Sequence, residues 1–518
     1  STSRRQRQMC IRDRKKQVQN HIRWSRYGDR NEISLQEAQM RTFNNFIWRF
    51  AQTEGNYNFS SGSRGKGNLS SEANPYFLFP QIYNFRYNIF SSEWPVANRV
   101  IELYLQKKSE NGGWERQING ISNNEKAVLL LEKRTFKELL VDMELRNLQN
   151  NIVGQEASRL FARAEINMGV EAFRDSLYSL LKRNTFLNIK FENMLDTLGE
   201  ISRTDIRSLL GEWEKTTPLP FYSLGEPTLT KITNKGGEEF FVLKMLISNN
   251  SDYDGIIHMD IRKDGWWYQP LEDPRAKTKI EMPAHTSKEF VSVWEDQIRN
   301  VEINTMVSGN LPNIISQDIN NVKQERNKIV KDSIYILPES SFDLPGEIIV
   351  DNEDSTLFIL SAPPIVGLLP KWLDEVEETP FKYSGISWWR PPLQWTATTN
   401  DRYYGKYIRS AFVIKSGDGS QTATWKVPVP EVGQYDLYYH VFKDDELRWN
   451  NNLQGEYHFK VKYGSEVEDA YVNLRKANEG WEQLGSYYFD SDTVRVVLTD
   501  ECKLRSVTAD AVKIVKRY

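Results

Sequence analysis

Two cysteines in 518 residues, Cys10 and Cys502, exclude a disulfide framework. Histidine is almost as scarce. His21, His258, His285, His440 and His458 make up the full set, and none stands at helical ligand spacing from another. With no HExxH and no paired-cysteine motif, a zinc site of familiar type is excluded. A GxSxG nucleophile elbow is missing as well. SSGSRGKG (60–67) has serine and glycine but neither the strand before nor the helix after that a nucleophile needs, and it lacks the spacing of a phosphate loop. Charge of one sign is lacking too: 67 Lys and Arg face 70 Asp and Glu, a net charge of −3. That balance gives no overall pull toward nucleic acid or an anionic membrane. No apolar run approaches the ~18 residues that span a bilayer. LFILSAPPIVGLLP (357–370) comes nearest, and its prolines break it. No secretory signal is visible.

What is present is globular material, with 39% hydrophobic residues, 26% charged residues and 15 tryptophans. The length suits three or four domains at ~100–200 residues each. Residues 1–19 open on STSRRQRQMCIRDR, which resembles a translated sequencing adapter; the other reading is a disordered basic arm. On the first reading the natural start is missing, and with it any export signal. Residues 20–124 read as an irregular, aromatic-rich segment holding apolar patches such as NPYFLFPQIYNF and EWPVANRVIELYLQ.

Over 125–220 the apolar period becomes helical. Phe136, Leu139, Leu140 and Met143 form one stripe, Phe173, Leu177, Leu180 and Leu181 a second, and Ile206, Leu209, Leu210 and Trp213 a third. These stripes read as core. Ser202 with Asp205 suggests an N-terminal capping box, and Pro218 and Pro220 end the helices. From 221 to 355 the period is two, with strands such as FFVLKMLISN and GIIHMDIR between turn residues, and an immunoglobulin-like β-sandwich is expected. Residues 356–380 read as a linker. In 381–518 the strands alternate cleanly: Tyr435, Leu437, Tyr439 and Val441 share one face, and Tyr457, Phe459, Val461 and Tyr463 another. A jelly-roll-like β-sandwich closes the chain. The fold class is thus multidomain α+β.

Aromatic residues crowd this tail. Flat rings stack on sugar rings, and Asn, Asp, Arg and Gln bond the hydroxyls. Trp425 alternates with Val427 and Val429 and reads as core, where an aromatic side chain buries ~150–250 Å². Trp449 stands in a polar, turn-like setting beside Arg448 and Asn450. With Trp388 and Trp481 these are the carbohydrate-binding candidates. Asp444, in the acidic run FKDDELRW, and Asp510, between apolar strand residues, are the calcium candidates. The plainer reading of Asp510 is a hydrogen-bonded carboxylate anchoring a neighbouring loop, and that of Asp444 a solvated hairpin tip. His440 and His458 fall on outward strand positions. Gly485 suits a bulge where a side chain would clash. No catalytic residue and no cofactor is nominated.

Four ordered elements of the tail, Ala423–Trp425, Gly433–Tyr438, Trp481–Phe489 and Ala509–Val512, resemble the golvesin and xanthan-lyase carbohydrate-binding-like domain. A second resemblance lies upstream. Gly169–Phe173, Phe186–Phe191 and Asp205–Trp213 are similar to the end of the helical domain in gluzincin peptidases of the aminopeptidase N type. The zinc helix of those enzymes is absent, so no catalytic residue carries over. Together the resemblances imply the non-catalytic C-terminal portion of an exported bacterial protein, secreted, periplasmic or at the cell surface, whose last sandwich holds a polysaccharide or cell-surface glycan. The alternative is the accessory and targeting part of a truncated exported zinc metallopeptidase or polysaccharide-degrading enzyme. A third reading is a structural module that binds nothing.

Overall fold

In the computed structural model the described residues are 18, 34–36, 38–40, 87–105, 113–184, 187–263, 269–271, 273–319, 321–326, 330–338, 346–361, 381–387, 390–443 and 455–517. The chain groups into two compact units, 1–108 with 176–195, and 109–175 with 196–518. The first elements in chain order are β1 (Tyr87–Phe90), α1 (Ala97–Leu105), α2 (Gly113–Asn119), α3 (Asn123–Lys133), α4 (Phe136–Val141), α5 (Gln149–Met168), α6 (Val170–Arg183), β2 (Leu187–Lys190) and α7 (Phe191–Ser202). A 3-10 helix at Arg207–Glu214 follows.

In the first unit β1 and β2 pair in parallel, with Ile89 opposite Ile189. Helices occupy Ala97–Leu105 and Gly113–Asn119, inside the stretch expected to be irregular. The reason lies in EWPVANRVIELYLQ: Ala97, Val100, Ile101, Tyr104 and Leu105 recur at three and four residues and are all buried.

Two helix ends differ from expectation. Met143 is exposed because α4 stops at Val141. Ser202 does not cap a helix N-terminus. It is the last residue of α7, and its hydroxyl donates to the Leu198 carbonyl at 2.8 Å. Asp205 holds the start of the 3-10 helix instead, accepting from the Ser208 N–H at 3.1 Å. True capping boxes stand at Ser122 with Glu125 and at Thr135 with Glu138.

Strands follow: β3 (Tyr222–Leu224), β4 (Thr228–Thr233), β5 (Glu239–Asn249), β6 (Gly255–Lys263), β7 (Gln269–Pro270), β8 (Lys277–Met282), β9 (Thr286–Trp294), β10 (Ile298–Asn304), β11 (Ile314–Asp318), β12 (Val322–Arg326) and β13 (Ser333–Pro338). One sheet runs β12-β4-β5-β9-β13 with β3 beside β5. The other runs β11-β10-β6-β7 with β8 beside β6. Leu243, Met245 and Ile247 of the first sheet share a core with Ile257, Met259, Ile261 and Ile303 of the second. The second sheet's other face is covered by α5, where Glu165 pairs with Lys279 and Arg163 with Glu281.

The last strands are β14 (Glu347–Val350), β15 (Phe358–Leu360), β16 (Thr396–Thr399), β17 (Ser410–Lys415), β18 (Thr422–Pro428), β19 (Gly433–Val441), β20 (Glu456–Tyr463), β21 (Glu466–Asn473), β22 (Gly480–Phe489), β23 (Thr493–Thr499), β24 (Ser506–Ala509) and β25 (Val512–Lys516). They form sheets β14-β25-β19-β22, β15-β18-β23-β20-β21 and β16-β17-β24. Trp425, Leu437, Tyr439, Phe459, Val496 and Ile514 fill one core between the first two. β14 and β15 lie upstream of residue 381 yet pair with β25 and β18. The tail sandwich therefore recruits residues that the sequence pattern assigned to the preceding sandwich and the linker.

β19 and β22 change register between Leu437 and Tyr438, opposite Gly485. A Cβ at Gly485 would lie 2.7 Å from the Tyr487 hydroxyl oxygen and 2.8 Å from its Cζ. Tyr487 is itself buried against Phe489, so Gly485→Ala is expected to destabilise the protein by about 1–3 kcal/mol. Equilibrium denaturation measures this, and a neutral result would mean that Tyr487 yields freely.

A junction ties the helices, the middle sandwich and the tail. The buried Glu125 carboxylate accepts from the N–H groups of Ser122 (2.6 Å) and Asn313 (2.9 Å) and from Arg116 Nε (2.9 Å). The Thr399 hydroxyl donates to the Gly120 carbonyl at 2.6 Å. Ile121, Leu311, Tyr383 and Ala397 pack beside these bonds. Gly120 has φ +80°, and a Cβ there would meet the Ser384 nitrogen at 2.4 Å, so glycine is required.

Candidate functional site

Alternation decides what each side chain of the sheet β14-β25-β19-β22 faces. Tyr435, Leu437, Tyr439 and Val441 of β19 point to the core and are buried. Asp436, Tyr438 and His440 therefore face the other way. Register places Trp481 opposite His440, Gln483 opposite Tyr438, and Ser486 opposite Asp436 on β22. On the other flank Lys513 of β25 stands opposite Tyr438.

At one end of this outer face five groups meet. The Trp481 ring lies 5.1 Å from Tyr404 and 5.2 Å from His440, measured between centroids, the latter edge-on at 77°. Lys513 Nζ lies 4.9 Å from the Trp481 centroid and 5.3 Å from that of Tyr438. The ammonium is held there by Glu347 of β14 at 2.9 Å. A cation over an aromatic face contributes on the order of 0.5–2 kcal/mol, more as the pair loses water.

Beneath these rings lies Asp510, fully buried between β24 and β25. Its carboxylate accepts from the Tyr404 N–H at 3.1 and 3.2 Å, and His440 Nδ1 sits 2.8 Å from Oδ2. Burial pushes its pKa above the ordinary carboxylate value, while His440, the Tyr404 N–H and Arg409 oppose the shift. Asp510 thus anchors the loop carrying Tyr404 and orients His440.

Farther along the face Asp436 accepts from Ser486 Oγ (2.5 Å), Arg517 Nε (2.8 Å) and Gln483 Nε2 (3.1 Å). The Arg517 and Ser486 hydrogen bonds hold its pKa below the ordinary value. Tyr488 continues the row with an exposed ring. The face therefore offers aromatic surface at one end and a network of donors and acceptors at the other.

Of the residues nominated from sequence, Trp481 and Asp510 stand here, on either side of His440. Trp388, Asp444, Arg448, Trp449 and Asn450 lie outside the described residues. Trp425 is buried in the core, and its indole N–H donates to the Asp510 carbonyl at 3.2 Å. His440 is indeed on the outward side of β19. Its side chain is only 13% exposed, however, because Asp510 and Trp481 enclose it. Tyr438, Lys513 and Asp436 were missed. Strand parity marks which face they occupy but not which strands become neighbours. Among the described residues no group of three His, Cys, Asp or Glu side chains is placed to hold a metal ion.

Residues 391–516 match the family model of the Golvesin C-terminal domain, in agreement with the motifs of the tail. No curated protein sequence matches the chain. Solved structures align at low similarity. A Bacteroides uniformis beta-glucuronidase shows 11% identity and a TM-score of 0.18 over 61% of this chain and 32% of its own. A Bacteroides uniformis beta-glucuronidase 2 covalently bound to cyclophellitol-6-carboxylate aziridine shows 12% identity and a TM-score of 0.17 over 67% of this chain and 38% of its own. A chain of the Sulfolobus Turreted Icosahedral Virus structure shows 9% identity and a TM-score of 0.13 over 59% of this chain and 97% of its own. The chain spans about a third of the length of the two enzymes, and no fold is inferred at these scores. No described helix is long and apolar enough to cross a membrane.

Proposed function

We propose that the tail sandwich binds a polysaccharide or cell-surface glycan on the outer face of β14-β25-β19-β22, as a non-catalytic module of an exported bacterial protein. One observation carries the reading. Trp481 and Tyr438 stand on a sheet face opening onto the hydrogen-bonding row Gln483, Asp436, Ser486 and Arg517. Rings against sugar C–H faces and amide, carboxylate and guanidinium groups against hydroxyls are the two contact types a pyranose chain requires. The Golvesin match over 391–516 supports the same reading, as does its expectation of an extracellular setting. In finer detail we read the middle sandwich as immunoglobulin-like and the tail as jelly-roll-like.

A second reading is favoured by the junction. The tail is bonded to the upstream helices through Gly120 and Thr399 and to the middle sandwich through Leu311, which exchanges backbone hydrogen bonds with Tyr407 and Arg409. A docked sandwich, rather than one on a tether, suits the accessory and targeting part of a larger enzyme.

Affinity electrophoresis tests the first reading. The full chain is run through gels holding hydroxyethylcellulose, galactomannan, polygalacturonate or solubilised peptidoglycan. Wild type is expected to be retarded by one of them, and Trp481→Ala to lose about tenfold in affinity, equal to about 1.4 kcal/mol. Equal retardation of both proteins, or none of the wild type, would sink the reading.

A further inference from the structure

We infer that His440 contacts the glycan directly, presenting Nε2 as a hydrogen-bond acceptor to a sugar hydroxyl, with Asp510 as the positioning residue that fixes its tautomer. The inference rests on the carbohydrate reading above and assigns it a specificity-determining residue.

One ring nitrogen, Nδ1, is committed to Asp510 at 2.8 Å. Asp510 is fully buried and takes the Tyr404 N–H on both oxygens. A carboxylate so placed can only accept, so neutral His440 carries its proton on Nδ1. Nε2 is then a bare acceptor. It has no hydrogen-bond partner among the described residues, and it is not one of their enclosed, unsatisfied nitrogens. We place Nε2 in the small open part of the ring, 13% of the side chain.

The surroundings say what solvent-side group would take it. The Trp481 ring stands edge-on to His440 with centroids 5.2 Å apart. Its indole nitrogen, like Nε2, has no hydrogen-bond partner among the described residues. An acceptor-bearing and a donor-bearing ring thus stand opposite each other on adjacent strands of one sheet face, beside Tyr404 and Lys513. Adjacent hydroxyls of a sugar ring offer the complementary pair, since a hydroxyl both donates and accepts. Lys513 is already neutralised by Glu347, and Arg517 by Asp436. The face is therefore suited to a neutral glycan more than to a polyuronate.

The test uses the full chain and the four gels named above. Asparagine at 440 places its amide where Nδ1 was and stops short of Nε2, whereas glutamine reaches Nε2. His440→Asn is expected to keep the thermal midpoint near wild type and to lose about tenfold in affinity for the retarding polysaccharide. His440→Gln should recover part of that loss. Asp510→Asn, which removes the charge that holds the ring proton on Nδ1, should weaken retention as His440→Asn does. A further readout is independent of folding losses. With only five histidines in the chain, 15N-histidine labelling resolves His440, assigned through the variant. Its Nε2 resonance is expected in the unprotonated range and should move when the retarding polysaccharide is added.

If Trp481→Ala abolishes retention while His440→Asn leaves it intact, the inference falls and the carbohydrate reading stands. If no gel retards the wild type, both fall. A protonated Nε2 in the free protein, or one unmoved by the polysaccharide, overturns the role given to His440 whatever the variants do.

Discussion

Replacing Glu125 by alanine is expected to destabilise the larger unit by about 3–5 kcal/mol, the cost of leaving a buried charge and its partners uncompensated. The carboxylate is wholly enclosed and serves three donors from three stretches of chain: the Ser122 N–H, the Asn313 N–H and Arg116 Nε. Arg116 is itself nearly buried, and its Nη2 already lacks a partner among the described residues. Truncation would strand the guanidinium and two backbone N–H groups at once, each orphaned group costing roughly 1–3 kcal/mol before relaxation. Glu125→Gln keeps an acceptor oxygen but loses the charge, so a smaller loss is expected. Denaturant unfolding of the two variants measures both. A cost under 1 kcal/mol for alanine would show that water replaces the carboxylate and that the junction is not held by it.

The helix that Glu125 opens illustrates how far the sequence could be read. Downstream of it Phe136, Leu139 and Trp213 are buried as the 3.6-residue spacing requires, because a stripe needs only its own residues to be recognised. What Glu125 meets was not legible. A capping glutamate in S-x-x-E predicts its own helix start, whereas the Asn313 N–H that shares it lies 188 residues away. Ser202 shows the converse. A serine three residues before an aspartate fits a capping box, yet its hydroxyl was satisfied by the helix it ends.

The tail divides in the same way. The alternation in QYDLYYHV placed four side chains inward correctly, and Gly485 lies at a register shift as its lack of a side chain suggested. The partners of β25 were out of reach: β14 comes from 168 residues upstream in the pairing Glu347 with Val515. His440 was legible as outward, but its bond to Asp510 depends on how the β24–β25 corner folds beneath it. Parity names a face; only tertiary pairing names the site on it.

Acidification should remove about 2–3 kcal/mol of stability through one residue, His258, between pH 6.5 and pH 4. It lies on β6, opposite Lys279 of β8 and Asn304 of β10, on the sheet face that α5 covers. Burial lowers its pKa from 6.5 to about 4; Lys279, Lys277 and Arg174 add to the shift, and Asp260 opposes it. The folded protein therefore keeps the imidazole neutral where the unfolded chain protonates it. The unfolded state binds the extra proton, so this stabilisation is intact above pH 6.5 and is lost as pH falls toward 4. At 1.36 kcal/mol per unit the full shift is worth about 3 kcal/mol, reduced somewhat because the ring is not wholly enclosed. Asp510 and Glu156 act in the opposite sense. Their folded pKa values are raised, so protonation on acidification favours the folded state. The total pH profile mixes these terms, and a difference separates them. The stability of wild type minus that of His258→Gln should be flat above pH 7 and should fall by about 2–3 kcal/mol on descending to pH 4. Parallel curves over that range would mean that the imidazole takes its proton within the fold, with Asp260 rather than burial setting its charge.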